Sequence, residues 1–152
     1  MHRLLLGGVI VALAWIGVLG GCASTFPPQN DNIDAPAAEF EVAPKTMVEK
    51  ITAALSTPPM DIGITEQDKG SLVTGYQRFP GEWHIGRRWQ EQTRYRIIVI
   101  PDFDRPTQKC TVEVREVTQT RAAEGMKWEP TEIDRPERAQ AVLDHIRRHL
   151  GG

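Results

Sequence analysis

The chain has 152 residues, with 18 Lys and Arg set against 20 Asp and Glu, and a formal charge of -2 at neutral pH. So mild a balance argues against a nucleic-acid binder, which shows a strongly basic domain, and points to neither an acidic nor a basic partner. The length suits one domain with a real core and is too short for two comfortable ones.

The first segment is Met1-His2-Arg3, a short positive start, followed by an apolar run from Leu4 to Leu19 and then Gly20-Gly21-Cys22. This is the layout of a secretory signal peptide. The run is 16 residues, short of the ~20 that a helix needs to cross a bilayer, and no basic stop-transfer flank follows it. Leu19-Gly20-Gly21-Cys22 resembles the lipobox of bacterial lipoproteins. The resemblance implies a diacylglycerol thioether on Cys22, cleavage just before it, and acylation of the new amino group. Each buried methylene adds about 0.8 kcal/mol, so two or three long chains make an effectively permanent anchor. Ala23, where an Asp would mark inner-membrane retention, resembles the outer-membrane-sorted class, with the domain facing the periplasm; the inner membrane stays open. The plainer reading is an ordinary signal peptide or membrane-anchored N-terminus, with Cys22 incidental. Removing residues 1–21, whose only charge is Arg3, leaves 131 residues and a formal charge of -3. With Cys22 spent on lipid, Cys110 is the only thiol of the mature chain, so no internal disulfide forms.

Residues 22–37 are rich in proline and polar side chains and lack a hydrophobic period, the composition of a flexible tether. The alternative is a leader that orders along a partner. The domain is expected over 38–150. Glu39-Phe40-Glu41-Val42 suits a short edge strand. Pro44 opens a helix whose Met47, Val48, Ile51, Ala54 and Leu55 form one apolar stripe, and Pro58-Pro59 ends it. Met60, Ile62 and Ile64 alternate with Asp61, Gly63 and Thr65, which predicts a half-buried strand. Gln67-Asp68-Lys69-Gly70 turns the chain, with a positive φ expected at the glycine, and Leu72 to Tyr76 returns as a hairpin.

Phe79 to Gln92 is the least regular stretch and is expected as a long loop, a kind that is often functional. Trp83, Arg87, Arg88 and Trp89 are the residue types that dominate interface hot spots, which makes this the candidate partner-binding loop. The competing reading folds both tryptophans over the sheet edge and leaves the arginines solvated. Arg94 to Ile100 predicts a central strand, with Tyr95, Ile97 and Val99 on one face and Arg94 and Arg96 on the other. Pro101 to Pro106 turns, and Asp102 and Asp104 belong to that turn rather than to a calcium loop, since no third ligand follows. Cys110 to Val117 alternates and pairs back. Cys110 shares parity with Val112 and Val114, so a buried thiol is expected, with an intermolecular bridge as the alternative.

Gly125 to Pro130 adds a short strand. Asp134, Pro136 and Glu137 spell the start of a helix, with Asp134 as N-cap and Glu137 completing a capping box. Ala139, Val142, Leu143, Ile146 and Leu150 form its stripe, and Asp144 and Arg148 are spaced to pair outside. His145 and His149 share a side at i, i+4; without a third ligand they read as a solvated face rather than a zinc site.

The elements amount to an α+β fold, a single antiparallel sheet of about five strands with two helices on one face. The first helix, the strand from Met60, and Asp68-Lys69-Gly70-Ser71-Leu72-Val73-Thr74-Gly75-Tyr76 resemble the helix-grip domains of BamC-type (NlpB-like) outer-membrane lipoproteins. Residues 92–150 fit the same repeat unit. The resemblance implies a non-catalytic accessory subunit of the β-barrel assembly machinery or of another envelope complex. No phosphate loop, dinucleotide fingerprint, nucleophile elbow or metal-ligand spacing is present, so no catalytic residue, metal or cofactor is expected beyond the covalent lipid. The second reading is a carrier of lipid or another hydrophobic ligand, which would need a cavity of ~300 Å³ or more between sheet and helices. Filling of that interface by Met47, Ile51, Tyr95 and Leu143 would favour a packed scaffold.

Overall fold

The computed structural model describes residues 35–80, 83, 84, 87–131 and 135–151, with backbone alone at 83, 84, 87 and 88. In chain order the elements are β1 (Ala37–Phe40), α1 (Pro44–Leu55), β2 (Ile64–Asp68), β3 (Ser71–Thr74), β4 (Gln77–Phe79), β5 (Trp83–His84), β6 (Arg87–Arg88), β7 (Gln90–Pro101), β8 (Cys110–Arg121), β9 (Glu129–Pro130) and α2 (Pro136–His149). No helix among the described residues is long and apolar enough to cross a membrane. Cys22 and the tether up to residue 34 lie outside the described residues.

The fold is built on β7 and β8, twelve residues each, paired along their whole length from Gln90↔Arg121 to Pro101↔Cys110. Their β-branched content suits a long twisted ribbon; β8 alternates buried and half-buried residues from Cys110 to Arg115, whereas β7 is buried without a break from Glu91 to Tyr95. Short strands flank it in pairs. On one side β3 and β4 follow each other along β7, and β2 lies outside β3; on the other, β1 and β9 follow each other along β8. The result is a seven-stranded antiparallel sheet in the order β1-β8-β7-β3-β2, with β5 and β6 forming a separate small ribbon.

Register fixes which side chains share a face. Ile97 stands opposite Val114 and Leu72, and Val99 opposite Val112, which in turn is opposite Ala38. These residues, with Tyr95 and Cys110, are buried beneath Met47, Ile51 and Leu55 of α1 and Val142, Leu143 and Ile146 of α2. Both helices thus cover one face of an α+β sheet, as the stripes predict. Cys110 is fully buried, and burial pushes its thiol pKa up.

Several expectations need correction. Residues 60–63 are not strand. Met60 and Asp61 donate their N–H groups to Thr57 O, Ile62 donates to Leu55 O at 2.8 Å, and Asp61 takes φ +46°. Ile62 is still only 3% exposed, so the alternation there records packing beneath the first helix rather than an extended chain. Pairing starts at Ile64. The first edge strand begins at Ala37, two residues earlier than expected, and stops at Phe40. The expected loop at 79–92 is largely regular: it holds β5, β6 and the first residues of β7, which runs four residues further back than its apolar part suggested. Its polar residues go unrecognised as strand because several of them face protein rather than solvent.

Asp134 lies outside the described residues; the residue before α2 is Arg135, whose side chain makes no cap and whose N–H donates to Glu116 Oε1 at 2.9 Å. Asp144 pairs with Arg147 at 3.4 Å and accepts from Gln140, rather than pairing with Arg148. His145 is not on a solvated face. It is 6% exposed, and its Nε2 lies 2.9 Å from Ala54 O, which ties α2 to the end of α1; His149 remains exposed. Helical spacing placed His145 beside His149, but only the crossing of the two helices buries it.

Candidate interaction surfaces

The hairpin of β5 and β6 places Trp83 opposite Arg88 and His84 opposite Arg87. Trp89 follows directly and is half-buried at the entry to β7. Three of the four candidate partner-binding residues therefore sit on one short ribbon between β4 and β7 in the chain, with Trp89 just after it, and the sequence had already grouped them by type.

The start of β7 carries a polar cluster that spacing did not reveal. Glu91, Thr93 and Tyr95 alternate along β7 on the helix-covered face, opposite Thr120, Thr118 and Glu116 of β8. Glu91 is 3% exposed and Thr93 fully buried. Arg138, in the first turns of α2, donates to the Glu91 carboxylate and to Thr93 Oγ1 at 3.1 Å, and Arg135 Nε stands 3.5 Å from Glu91 Oε1. The Arg138 guanidinium lies over the Phe79 ring at 4.0 Å, and the Thr93 and Thr118 hydroxyls share a 2.8 Å hydrogen bond. Burial, with the Glu116 carboxylate second, pushes the Tyr95 phenol up to about 12. A buried carboxylate held by two guanidiniums is a satisfied group, and the arrangement ties the start of α2 to the first residues of β7. Its only sequence trace is Glu91 lying two residues before a core-parity threonine. No local rule pairs it with arginines 44 and 47 residues on.

On the other face of the sheet, Arg94 points away from the helices as its parity requires, yet it is 7% exposed. Its guanidinium lies 5.0 Å from the Tyr76 ring centroid, with Glu66 Oε1 3.9 Å away. Arg121 stacks likewise over Trp128, at 4.5 Å. Planar guanidiniums on rings cover apolar surface while keeping their charge, so this end of the sheet is sealed by side chains rather than by a third helix.

The opposite end of the sheet carries the β7–β8 turn. Asp102 Oδ1 accepts the backbone N–H groups of Asp104 and Arg105, at 3.1 and 2.8 Å, confirming Asp102 as a turn residue. Arg105 pairs with Glu41 at 3.0 Å and Lys109 with Glu39 at 2.5 Å, which ties the turn to β1 and the residues after it. Phe103, at its tip, is 98% exposed, and Ile100 is 43% exposed. Beside the turn, between β1 with its continuation and the end of α2, runs an open groove of ≈ 690 Å³ with Phe40, Val42 and Leu150 in its lining. Neither feature has a local sequence signature.

Among the described residues, no three His, Cys, Asp or Glu side chains are grouped to hold a metal ion. No family model and no curated protein matches the chain. Among solved structures it is similar to a crystal structure of a DUF4468 family protein from Bacteroides ovatus, with a TM-score of 0.49 and 13% identity, over 82% of this chain and 90% of that one. A likeness of that strength carries no argument about function.

Proposed function

We propose that the chain is a membrane-anchored envelope lipoprotein whose α+β domain is a non-catalytic protein-binding module, an accessory subunit in the manner of BamC-type proteins of the barrel assembly machinery. The observation that supports a binding scaffold over a carrier is the filled interface between sheet and helices. Met47, Ile51 and Leu143 are fully buried there and Tyr95 is 2% exposed. The ≈ 690 Å³ groove opens on the surface beside β1, outside that interface. Anchoring rests on Leu19-Gly20-Gly21-Cys22 and the apolar run before it. The Trp83–Trp89 ribbon supplies aromatic and arginine side chains for contact.

The experiment is a comparison of the parent and Cys22→Ser chains in their own envelope. The parent is expected in the outer-membrane fraction, with a lipidated N-terminus by mass spectrometry, and Cys22→Ser in the soluble fraction. Parent protein with an unacylated N-terminus, or equal membrane association of both, would refute the anchor. Unchanged co-purification of the parent's partners after Trp83→Ala and Trp89→Ala would refute the binding role of the ribbon.

A further inference from the structure

Trp83, Arg87, Arg88 and Trp89 fall in the stretch 80–89, an arm that leaves the sheet after β4 and returns to it at β7. The last register pair before the departure is Phe79↔Glu91, which makes those two residues the stem of the arm. The arm has little of its own to hold it in place. β5 and β6 are two residues each and make a sheet separate from the seven-stranded one. An isolated two-stranded hairpin is at best marginally stable in water. Its position is therefore set where it joins the sheet.

Both stem residues are gripped by a single side chain. Arg138 donates to the Glu91 carboxylate and to Thr93 Oγ1 at 3.1 Å, while the same guanidinium lies over the Phe79 ring at 4.0 Å. A planar, forked cation does both at once; an ammonium offers a point charge and no flat face. Arg138 is itself fixed, because it stands in the first turn of a helix whose Val142, Leu143 and Ile146 are buried against the sheet. From the other face of the sheet, Arg121 Nε donates to Gln90 Oε1 at 2.6 Å, with its guanidinium over the Trp128 ring at 4.5 Å. We infer that Arg138 is the positioning residue of the arm, through which the seating of α2 sets where the contact side chains stand. The inference rests on the partner-binding role proposed for those side chains and adds what presets them. An arm held ready loses less freedom on docking than one that its partner must order. Linkage runs both ways, so a partner that grips the arm also tightens α2 on the sheet.

The test labels the full chain, in detergent micelles, with fluorinated tryptophan, and assigns the fluorine resonances with Trp83→Phe and Trp89→Phe. Arg138→Met is expected to shift or broaden both signals. Arg138→Lys keeps the charge and loses the stack on Phe79; it should do the same, and it serves alone should Arg138→Met fail to fold. Gly70→Ala destabilises the domain from the β2–β3 turn and should leave both signals in place, which separates positioning from loss of stability. In co-purification from the native envelope, Arg138→Lys is expected to lower recovery of the parent's partners by at least about tenfold, as when one or two further side chains must be ordered on docking. Gly70→Ala should lower it by less than about twofold. Trp83 and Trp89 signals unmoved in the Arg138 variants overturn the proposal, whatever the partners do. So does full recovery of partners by Arg138→Lys when Trp83→Ala with Trp89→Ala loses them. If that tryptophan pair can be replaced without loss of partners, the binding role of the arm fails instead, and the fluorine signals alone decide whether Arg138 sets its position.

Discussion

Replacing Arg138 by Met takes away the main partner of a carboxylate that is 3% exposed. Breaking a buried ion pair from one side costs about 3–5 kcal/mol, because the remaining charge stays desolvated. Two local features adjust that figure. Arg135, 3.5 Å from the same oxygen, retains part of the attraction. The Phe79 stack is lost with the guanidinium, at about 0.5–1 kcal/mol. The net expectation is about 2–4 kcal/mol, a large fraction of the 5–15 kcal/mol by which such domains are stable. Glu91→Met should cost a comparable amount by leaving Arg138 without its carboxylate. The double variant, Glu91→Met with Arg138→Met, puts apolar side chains of similar volume in both places and should cost less than the sum of the singles by about 2 kcal/mol. Arg135 loses the same carboxylate in that variant, and the burial of its Nε offsets part of the gain. Urea unfolding reads the result. With a slope of about 1–3 kcal/mol per molar, each single variant lowers the midpoint by roughly 1–3 M. Single variants within about 0.5 kcal/mol of the parent, or costs that simply add, would show that Glu91 and Arg138 are a solvated surface pair and that the cluster does not fasten α2 to the sheet.

Gly70 takes φ +81° in the two-residue turn between β2 and β3, and a Cβ there would stand 2.9 Å from Val99 O, a backbone atom that cannot swing aside. Gly70→Ala should therefore destabilise by about 1–3 kcal/mol in the same urea assay, from a left-handed φ and the crowding of β7 together; Lys69→Ala, beside it, should stay within about 0.5 kcal/mol, and equal effects would refute the close approach. Tyr95 gives a pH dependence. The folded phenol titrates near 12, above its unfolded value of 10.0, because burial and Glu116 favour the neutral form. The folded state thus holds its proton longer, and the contribution is whole below pH 10 and is lost as pH rises towards 12. Stability should fall by on the order of 2 kcal/mol across that window. A Tyr95→Phe variant should lose this part of the fall, together with an absorbance step of tyrosinate formation near pH 12; a step that is the same with and without Tyr95 would refute its burial.

Local sequence determined the parts of this protein whose cause is local. Pro44 and the Met47-Ile51-Ala54-Leu55 stripe specify α1, Gly70 specifies its turn, and the alternation from Tyr95 to Val99 and from Cys110 to Val114 specifies the sheet face under the helices. The period of a helix or strand is carried by neighbours in the chain, so it can be read there. The candidate contact ribbon was found by residue type alone, and its hairpin form was not.

What tertiary structure decided is the fate of polar and charged side chains. Arg94 has the parity of a solvent-facing residue and is sealed beneath Tyr76; Glu91 looks like part of a loop and is buried against Arg138; His145 sits on a helix flank until α1 crosses it. Burying a polar group costs free energy unless a partner meets it. Those partners lie 18, 47 and 91 residues away in the chain, brought close only by strand register and helix crossing. The same holds for Phe103 and the groove beside it: each is ordinary in sequence, and their shared end of the domain is a product of the fold.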